Sequence, residues 1–232
     1  MPAQTLVGKF RTSDFFALLP PGFYIFIVTY SCFAVTSNDA APPGSLGDIF
    51  VSLSDLLHEK PVLVVFVLFS CYLFGSIFRA LPVYWAERTV PPFTAQFPYP
   101  DILKEVVSTL NSNAGAAKHD PTKMPDVTAG VPMHVFNFWK DTLCVKSPEG
   151  FVYFETFETR VRLFAGMIWA AWSGILGGLY ITFAAWNVSG PAGLGIFVIS
   201  LVVLSAFGYN FRRVRRQEAR ALLTIFAAWL QE

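Results

Sequence analysis

Residues 163–211 read LFAGMIWAAWSGILGGLYITFAAWNVSGPAGLGIFVISLVVLSAFGYNF, and this stretch carries no charged side chain. A helix rises about 1.5 Å per residue, so about 20 apolar residues cross a hydrocarbon core of about 30 Å. The stretch is long enough to cross twice. Its residue types favour a tight turn at Asn187-Val188-Ser189-Gly190. It therefore predicts two spanning helices within Leu163–Gly190 and Pro191–Phe211, the first of which ends at about Trp186.

Two further stretches without charge, Phe15–Asn38 and Pro61–Phe78, lie nearer the start of the chain. A helix of a soluble domain needs a polar face, which these stretches lack. The composition agrees, because 54% of residues are hydrophobic and only 14% are charged. We therefore predict an all-α membrane protein with four transmembrane helices. The first stretch has no small-x-small cleavage pattern, and we interpret it as a retained span.

The charged flanks of the spans predict the orientation of the chain. Short flanks rich in Lys and Arg stay in the cytoplasm. The basic flanks are Lys9, Arg11, Arg79, Arg88, Arg160, Arg162, Arg212, Arg213, Arg215, Arg216 and Arg220. The loop over residues 39–60 is acidic instead. We therefore expect a multi-pass protein of the inner (plasma) membrane, with residues 1–14, 84–160 and 212–232 in the cytoplasm and 39–60 outside.

This topology divides the chain into three predicted parts. Residues 1–83 form an N-terminal membrane hairpin of spans 1 and 2, with the outer loop 39–60. Residues 84–147 form a small cytoplasmic insert between spans 2 and 3. Residues 148–232 form a long antiparallel helical hairpin, in which spans 3 and 4 extend into the cytoplasm. Ser147-Pro148-Glu149 is typical of a helix start, with a hydroxyl cap followed by proline and an acid.

The loops and the insert carry weaker signals. Apolar residues over 49–57 have helical spacing, which fits either a helix on the outer membrane surface or packing against the outer ends of the spans. In the insert, 101–111 has the pattern of an amphipathic helix and 113–130 that of a loop. Residues 131–146 fit a helix or a strand, and helix is favoured.

Pairing outward from the predicted turn brings the two cytoplasmic arms together. It pairs Arg216 with about Arg162 and Arg220 with about Glu158, so Glu155 and Glu158 of one arm lie near the arginine cluster of the other. Exposed ion pairs contribute only about 0–1 kcal/mol each, so we expect them to orient the arms without holding them together.

A stripe of small residues runs along span 3 at a spacing of four. Its members are Gly166, Ala170, Gly174 and Gly178. Helices in lipid associate through close backbone approach at small residues, so the stripe predicts a tight helix contact. The contact is either within the subunit or between subunits.

The remaining signals argue against coupled transport, metal binding and catalysis. No charged residue lies at the centre of a span, where coupled carriers usually place one. The histidines are isolated, and three scattered cysteines form neither a disulfide framework nor a zinc pattern. We expect no catalytic, cofactor-binding or metal residues, no cofactor and no enzyme activity. A net charge of +1 gives no reason to expect nucleic acid.

Basic residues at the inner interface are the candidate contacts with membrane lipid or a partner. They are Arg79, Arg88, Arg212, Arg213, Arg215, Arg216 and Arg220. Tyr84 and Trp85 lie beside the first two, as amphipathic rings do at headgroup level. For the arginines of the C-terminal tail, we favour a role in setting the topology and contacting the inner leaflet over a role in docking a cytoplasmic partner.

The chain resembles small uncharacterised bacterial four-span inner-membrane proteins, some of them encoded beside antiviral defence genes. The resemblance lies in Leu19-Pro20-Pro21-Gly22, in Trp139-Lys140 with Ser147-Pro148-Glu149, and in Phe211-Arg212-Arg213-Val214-Arg215-Arg216. It implies a similar layout and a possible role in defence, and it assigns no functional residue.

Three hypotheses for function follow. The favoured one is a homo-oligomer whose cytoplasmic part senses a signal or docks a soluble protein and whose membrane part changes permeability, as a channel does. The alternative is a membrane anchor or scaffold for a soluble partner enzyme. The third is an interfacial lipid-handling enzyme that uses cytoplasmic carboxylates such as Glu87, Asp101 or Glu105.

Overall fold

The computed structural model describes residues 12–36, 45–59, 61–80 and 133–229, together with residues 86, 101, 102, 104, 105 and 108. The four continuous ranges form six helices, numbered α1 to α6 in chain order. They are α1 (Thr12–Thr36), α2 (Leu46–Glu59), α3 (Pro61–Ala80), α4 (Met133–Lys146), α5 (Pro148–Ala184) and α6 (Trp186–Trp229). None of the described residues lies in a strand. The all-helical fold predicted from the sequence is confirmed for this part of the chain.

Two compact units share the chain, and the division passes through both long helices. Unit 1 comprises Met1–Val90 and Arg162–Asn210, and unit 2 comprises Pro91–Val161 and Phe211–Glu232. α5 therefore begins in unit 2 and continues into unit 1, whereas α6 begins in unit 1 and continues into unit 2. The four uncharged stretches belong to unit 1 almost entirely.

Three helices are long and apolar enough to cross a membrane. The candidate segments are Ala17–Thr36 in α1, Glu149–Ala184 in α5 and Trp186–Ile225 in α6. α3 is also apolar, but its segment Val62–Ile77 is shorter. Length and composition thus agree with a membrane protein that has at least three crossing helices.

Helix α2 packs into the core of unit 1. Its Ile49 is 1% exposed and joins a cluster with Val28 of α1, Ile181 of α5, and Ala192 and Ile196 of α6. The sequence left two placements open for residues 49–57. The structure shows packing against the ends of the other helices.

A reciprocal cap explains where α2 begins. The backbone N–H of Asp48 donates to Ser45 Oγ at 3.2 Å, and the backbone N–H of Ser45 donates to Asp48 Oδ2 at 2.8 Å. This arrangement satisfies two backbone donors that the first turn of a helix leaves without partners.

The predicted helix start at Ser147-Pro148-Glu149 is confirmed, because α5 begins at Pro148. The N–H of Phe151 donates to the carbonyl of Ser147 at 2.8 Å, so Ser147 occupies the cap position. The ambiguity over residues 131–146 is resolved as helix, since α4 spans Met133–Lys146.

The turn predicted at Asn187–Gly190 is wrong. The break between α5 and α6 is at Ala185, and residues 187–190 belong to the first turns of α6. The physical reason is local hydrogen bonding. The N–H groups of Val188 and Ser189 both donate to the carbonyl of Ala185, at 3.1 and 2.8 Å, and this begins the helix before Pro191.

The remaining predictions for local structure fall partly outside the described residues. The described residues between 101 and 108 are helical, with Ile102 buried and Asp101 and Glu105 exposed, as an amphipathic helix requires. The loop predicted at 113–130 lies outside the described residues. α1 continues through Pro20 and Pro21 without a break, and Pro21 is fully buried.

Candidate functional site

The part of α6 that belongs to unit 2 has arginines on two faces. Arg212 and Arg215 are only 7% and 6% exposed, whereas Arg213 and Arg220 are exposed and Arg216 is half-buried. Residues three or four apart share a helix face, so 212 and 215 lie on the inner face and 213, 216 and 220 on the outer one. The arginines that the sequence grouped together thus have two different environments.

Three helices contribute to a charge cluster, which we define as the half-buried Lys140 of α4 and Glu158 of α5 together with the buried Arg215 and Glu218 of α6. Arg215 forms an ion pair with Glu218, and Lys140 forms one with Glu158. Glu218 is 2% exposed, and the charges of both Lys140 and Glu158 act on it. The cluster therefore links α4, α5 and α6 by electrostatics inside unit 2.

Glu218 is the most perturbed carboxyl of the cluster. Burial raises the pKa of Glu218 above its ordinary value because the charged form loses its hydration. The Arg215 guanidinium opposes this and lowers the pKa by its charge and its hydrogen bond, the nearby Glu158 raises it again, and Lys140 lowers it. Removing one partner from such a buried set leaves a charge without compensation, which costs about 3–5 kcal/mol.

An aromatic side chain of α5 contacts the cluster at Lys140. Phe154 is fully buried, and its ring centroid lies 5.9 Å from Lys140 Nζ. This is within the range of a cation–π interaction, which strengthens as water is excluded. Trp139, adjacent to Lys140 on α4, is 5% exposed. The apolar shell explains why the carboxylates and cations here have to be paired.

On the outer face of α6, a second set of ion pairs holds the helical residues at 101–108, which we name the 101–108 segment. Arg216 pairs with Asp101, and Arg220 pairs with Glu105 at 2.5 Å. The two acids and the two arginines have the same spacing of four. Ile102 is 1% exposed, so a buried side chain adds to the two exposed ion pairs in holding this segment. Each exposed pair is worth only about 0–1 kcal/mol.

The predicted pairing of the arms is observed only in part. The sequence placed Glu155 and Glu158 near the arginine cluster of the opposite arm. In the structure Glu158 pairs with Lys140 and lies close enough to Glu218 to shift its pKa. Arg216 and Arg220 hold Asp101 and Glu105. The sequence analysis did not predict that Asp101 and Glu105 pair with these arginines. The matched spacing of 101 and 105 with 216 and 220 was a usable signal.

The two remaining basic residues predicted at the inner interface give little structural information. Arg79 lies in the last turn of α3, and the structure describes only its backbone. Arg88 lies outside the described residues, as do Tyr84, Trp85 and Glu87.

In unit 1 the small-residue stripe is buried and faces neighbouring helices of the same chain. A side chain added at Gly166 would meet Pro21 of α1 at 3.3 Å, and one at Gly178 would meet the backbone N of Phe197 of α6 at 2.7 Å. One at Gly174 would overlap Ser200 of α6. Ala170, the fourth member, is also fully buried. The observed contacts are therefore within the subunit, one of the two placements that the sequence allowed.

A hydrogen bond crosses the helices beside the stripe. The hydroxyls of Tyr24 in α1 and Ser200 in α6 are 2.7 Å apart. Ser200 also donates to the carbonyl of Ile196 at 2.6 Å. Since Gly174 has no side chain, it leaves room for both hydroxyl groups.

Replacing Gly178 with leucine is expected to separate α5 from α6, because the added side chain would overlap the backbone of Phe197 and of Gly193. Overpacking of this kind costs about 1–3 kcal/mol. The midpoint of thermal unfolding in detergent measures it. Val202→Phe is the matched control, since Val202 lies on α6 and is 63% exposed. Equal losses in the two variants would show that the stripe is not a packing face.

A closer helix crossing, between α1 and α3, was missed by sequence reasoning. A side chain at Gly22 would overlap the carbonyl oxygen of Cys71, and one at Gly75 would overlap that of Leu18. Gly22 entered the sequence analysis only as part of Leu19-Pro20-Pro21-Gly22, and Gly75 did not enter it. The crossing is marked by two glycines that face each other. They can be recognised as a pair only when the register between the two helices is known.

The arrangement offers electrostatic linkage between helices α4, α5 and α6. Within the described residues no group of three His, Cys, Asp or Glu side chains is placed to hold a metal ion. The carboxylates of Asp101, Glu105, Glu158 and Glu218 all form ion pairs with lysine or arginine side chains. All three cysteines are free thiols, and Cys144 is the exposed one. The candidate functional site is thus the charge cluster with the 101–108 segment beside it.

Comparison with known proteins adds no relative. No protein-family model matches the chain, and neither a curated protein nor a solved structure matches it.

Proposed function

We propose that the chain is an inner-membrane protein with four spanning helices, whose cytoplasmic unit 2 senses a signal or docks a soluble partner and whose unit 1 is the membrane effector. The observation that carries this proposal is the continuity of α5 and α6 through both units. An event that changes the packing of unit 2 acts on the same two helices that pack with α1 in unit 1. No flexible linker intervenes in either helix.

The exposed surface of α3 supports a fourth span. α3 is 20 residues long, and its large apolar side chains Val62, Val65, Phe66 and Phe69 are all more than half exposed. Water would penalise such a surface, whereas lipid would not. A length of 20 residues reaches about 30 Å, enough to cross the hydrocarbon core.

Contacts within unit 1 support an antiparallel hairpin of α5 and α6. Gly178 faces Phe197, and Gly174 faces Ser200. Further along, the rings of Phe164 and Phe207 meet edge to face at 5.5 Å. Contact positions fall on α5 as they rise on α6, which is the pattern of antiparallel helices. With both termini in the cytoplasm, the ends of the hairpin extend into that compartment.

Change of membrane permeability is the effector action that we propose, and it requires self-association because four helices alone enclose no channel. The small-residue stripe is occupied by contacts within the chain, so a homo-oligomer would use another face. Leu176, Tyr180 and Phe183 form such a face on α5, with exposed fractions of 67%, 49% and 79%. In the monomer this face would contact lipid.

The topology is tested by reporter fusions. A reporter placed after Asp48 is expected to behave as periplasmic, and one after Lys146 or Arg213 as cytoplasmic, because the basic flanks stay inside. Cytoplasmic behaviour of the Asp48 fusion would contradict the four-span arrangement, and so would periplasmic behaviour of the Arg213 fusion.

Self-association and permeability are tested on the purified protein. Its mass in detergent is expected to exceed that of one chain. Liposomes that contain it are expected to leak a small dye or ions once a signal or a soluble partner binds to unit 2. A monomer at every concentration would reject the oligomeric effector.

A membrane anchor for a soluble partner is the second candidate, and one observation favours it. The stripe that most suggested association between subunits is used inside the chain. Liposome flux separates the two candidates, because an anchor conducts nothing even with its partner bound. The third hypothesis, a lipid-handling enzyme, gains no support from Asp101 and Glu105, since both carboxylates hold arginines.

A further inference from the structure

Two neighbouring positions on the outer face of α6 are built to hold oxyanions. Arg216 and Arg220 lie one helical turn apart, with side chains 36% and 54% exposed. Each guanidinium holds a carboxylate, Asp101 in one case and Glu105 in the other. Carboxylate and phosphate oxygens bind a planar guanidinium by the same charge-assisted hydrogen bonds. The chain's own carboxylates thus occupy positions that suit phosphate equally well.

The contact that fills these positions is weakly held. Both ion pairs are exposed to solvent, where water and salt screen the attraction. Of the described residues in the 101–108 segment, only Ile102 is buried, and Asp101, Lys104, Glu105 and Ser108 are all exposed. A group with more negative charge than a carboxylate is therefore able to compete for the arginines.

We propose that Arg216 and Arg220 form a binding site for phosphate-bearing ligands, and that Asp101 and Glu105 close this site as internal competitors. A phosphate monoester carries more negative charge than a carboxylate and offers three acceptor oxygens. A phosphodiester headgroup carries a single charge, as a carboxylate does, but an anionic leaflet presents many such groups side by side. When a phosphate group binds, the carboxylates of Asp101 and Glu105 are displaced from the two arginines, and this loosens the contact of their helix with α6. The inference rests on the proposed cytoplasmic placement of unit 2, and it names the chemical class of the signal.

Phosphate groups come to this site from two sources. A soluble phosphate ester reaches the exposed face directly. A phospholipid headgroup reaches it from the inner leaflet, because Arg213 shares this face and follows the uncharged stretch by two residues. The chemistry at the guanidinium groups is the same, and the experiment separates the sources.

Hydrogen exchange of the full-length protein in nanodiscs reads the position of the 101–108 segment. The starting condition is neutral phosphatidylcholine. One arm adds sodium pyrophosphate and compares it with sodium chloride at equal ionic strength, and the other replaces part of the lipid with phosphatidylglycerol. We expect faster exchange over residues 101–108 with pyrophosphate for a soluble ligand, or with phosphatidylglycerol for a headgroup. Unchanged exchange in both arms would reject the proposal.

Paired variants test the competition itself. Asp101→Asn with Glu105→Gln removes the internal competitors, and we expect it to strengthen pyrophosphate or phosphatidylglycerol binding by about fivefold or more. Arg216→Gln with Arg220→Gln is expected to abolish the response of the segment to either anion. Asp141→Asn with Glu149→Gln is the matched control, because both acids are exposed on α4 and α5. Equal affinity in the Asp101/Glu105 variant and the parent would overturn the proposal.

The result is distinguishable from failure of the proposed function. A chain that loosens the 101–108 segment with phosphate but neither associates nor conducts would contradict the effector role and leave this site standing. A chain that conducts while the segment ignores both anions would contradict only the site.

Discussion

Replacing Gly22 with valine is expected to prevent α1 from packing against α3. The first atom of the new side chain would overlap the carbonyl oxygen of Cys71, which is backbone and cannot rotate away. Overpacking usually costs about 1–3 kcal/mol, and a clash between backbones belongs at or above the upper end of that range. We expect most of the extracted protein to aggregate in detergent, and the soluble remainder to unfold at a clearly lower temperature.

Gly75→Val is expected to have a similar effect, because a side chain there would overlap the carbonyl oxygen of Leu18 on the other side of the same crossing. Since both changes break one interface, the double variant should lose less than the sum of the two single losses. Gly47→Ala is the control. Its added methyl group would meet only Ser45 Oγ at 3.5 Å, an ordinary contact. A fully additive double variant, or an equally damaging control, would contradict the crossing.

Local sequence signals predicted the elements of this fold well. Long uncharged stretches and the Ser-Pro-Glu cap depend only on neighbouring residues, and α5 begins at Pro148 as expected. The turn that follows this helix was predicted at 187–190 and lies at Ala185 instead. Glycine and asparagine favour a turn, but backbone hydrogen bonds to the carbonyl of Ala185 begin α6 earlier. Local propensity is a weak guide where two competing local hydrogen-bond patterns are available.

The candidate site was less predictable because it depends on register between distant segments. The basic run at 212–220 was visible, but its division into buried Arg212 and Arg215 and exposed Arg213 and Arg220 depends on which face of α6 meets α4 and α5. Glu218 was not among the candidate residues of the sequence analysis. Its burial among Lys140, Glu158 and Arg215 becomes visible only when three helices are assembled.

The burial of Arg215 changes the expected role of that residue. Leaflet contact requires an accessible guanidinium, and this requirement suits Arg213, Arg216 and Arg220. A guanidinium that is 6% exposed and paired with a buried carboxylate acts inside unit 2 instead. Lysine at 215 would keep the charge but lose the planar geometry, so replacement by lysine is not expected to be neutral at this position.

Arg215→Met is expected to destabilise unit 2 in a pH-dependent manner. The substitution leaves Glu218 buried without its principal counter-charge, and Lys140 is engaged with Glu158. Breaking a buried pair in this way costs about 3–5 kcal/mol when the remaining carboxyl is ionised. Because Arg215 lowers the pKa of Glu218 in the parent, its removal raises that pKa further above the ordinary carboxyl value.

The sign of the pH effect follows from that shift. A carboxyl whose pKa is raised in the folded state favours folding most below its ordinary pKa, and this contribution is lost as pH rises through the raised value. The Arg215→Met variant should therefore approach the stability of the parent near the ordinary carboxyl pKa and fall behind it towards neutral pH. Thermal unfolding and hydrogen exchange of α4 and α6, measured across this range, report the difference.

Two control variants separate the charge of Arg215 from its packing. Arg213→Met, on the exposed face, should follow the parent at every pH. Arg215→Met combined with Glu218→Leu should lose the pH dependence. A deficit of equal size at all pH values would show that Arg215 acts through packing alone.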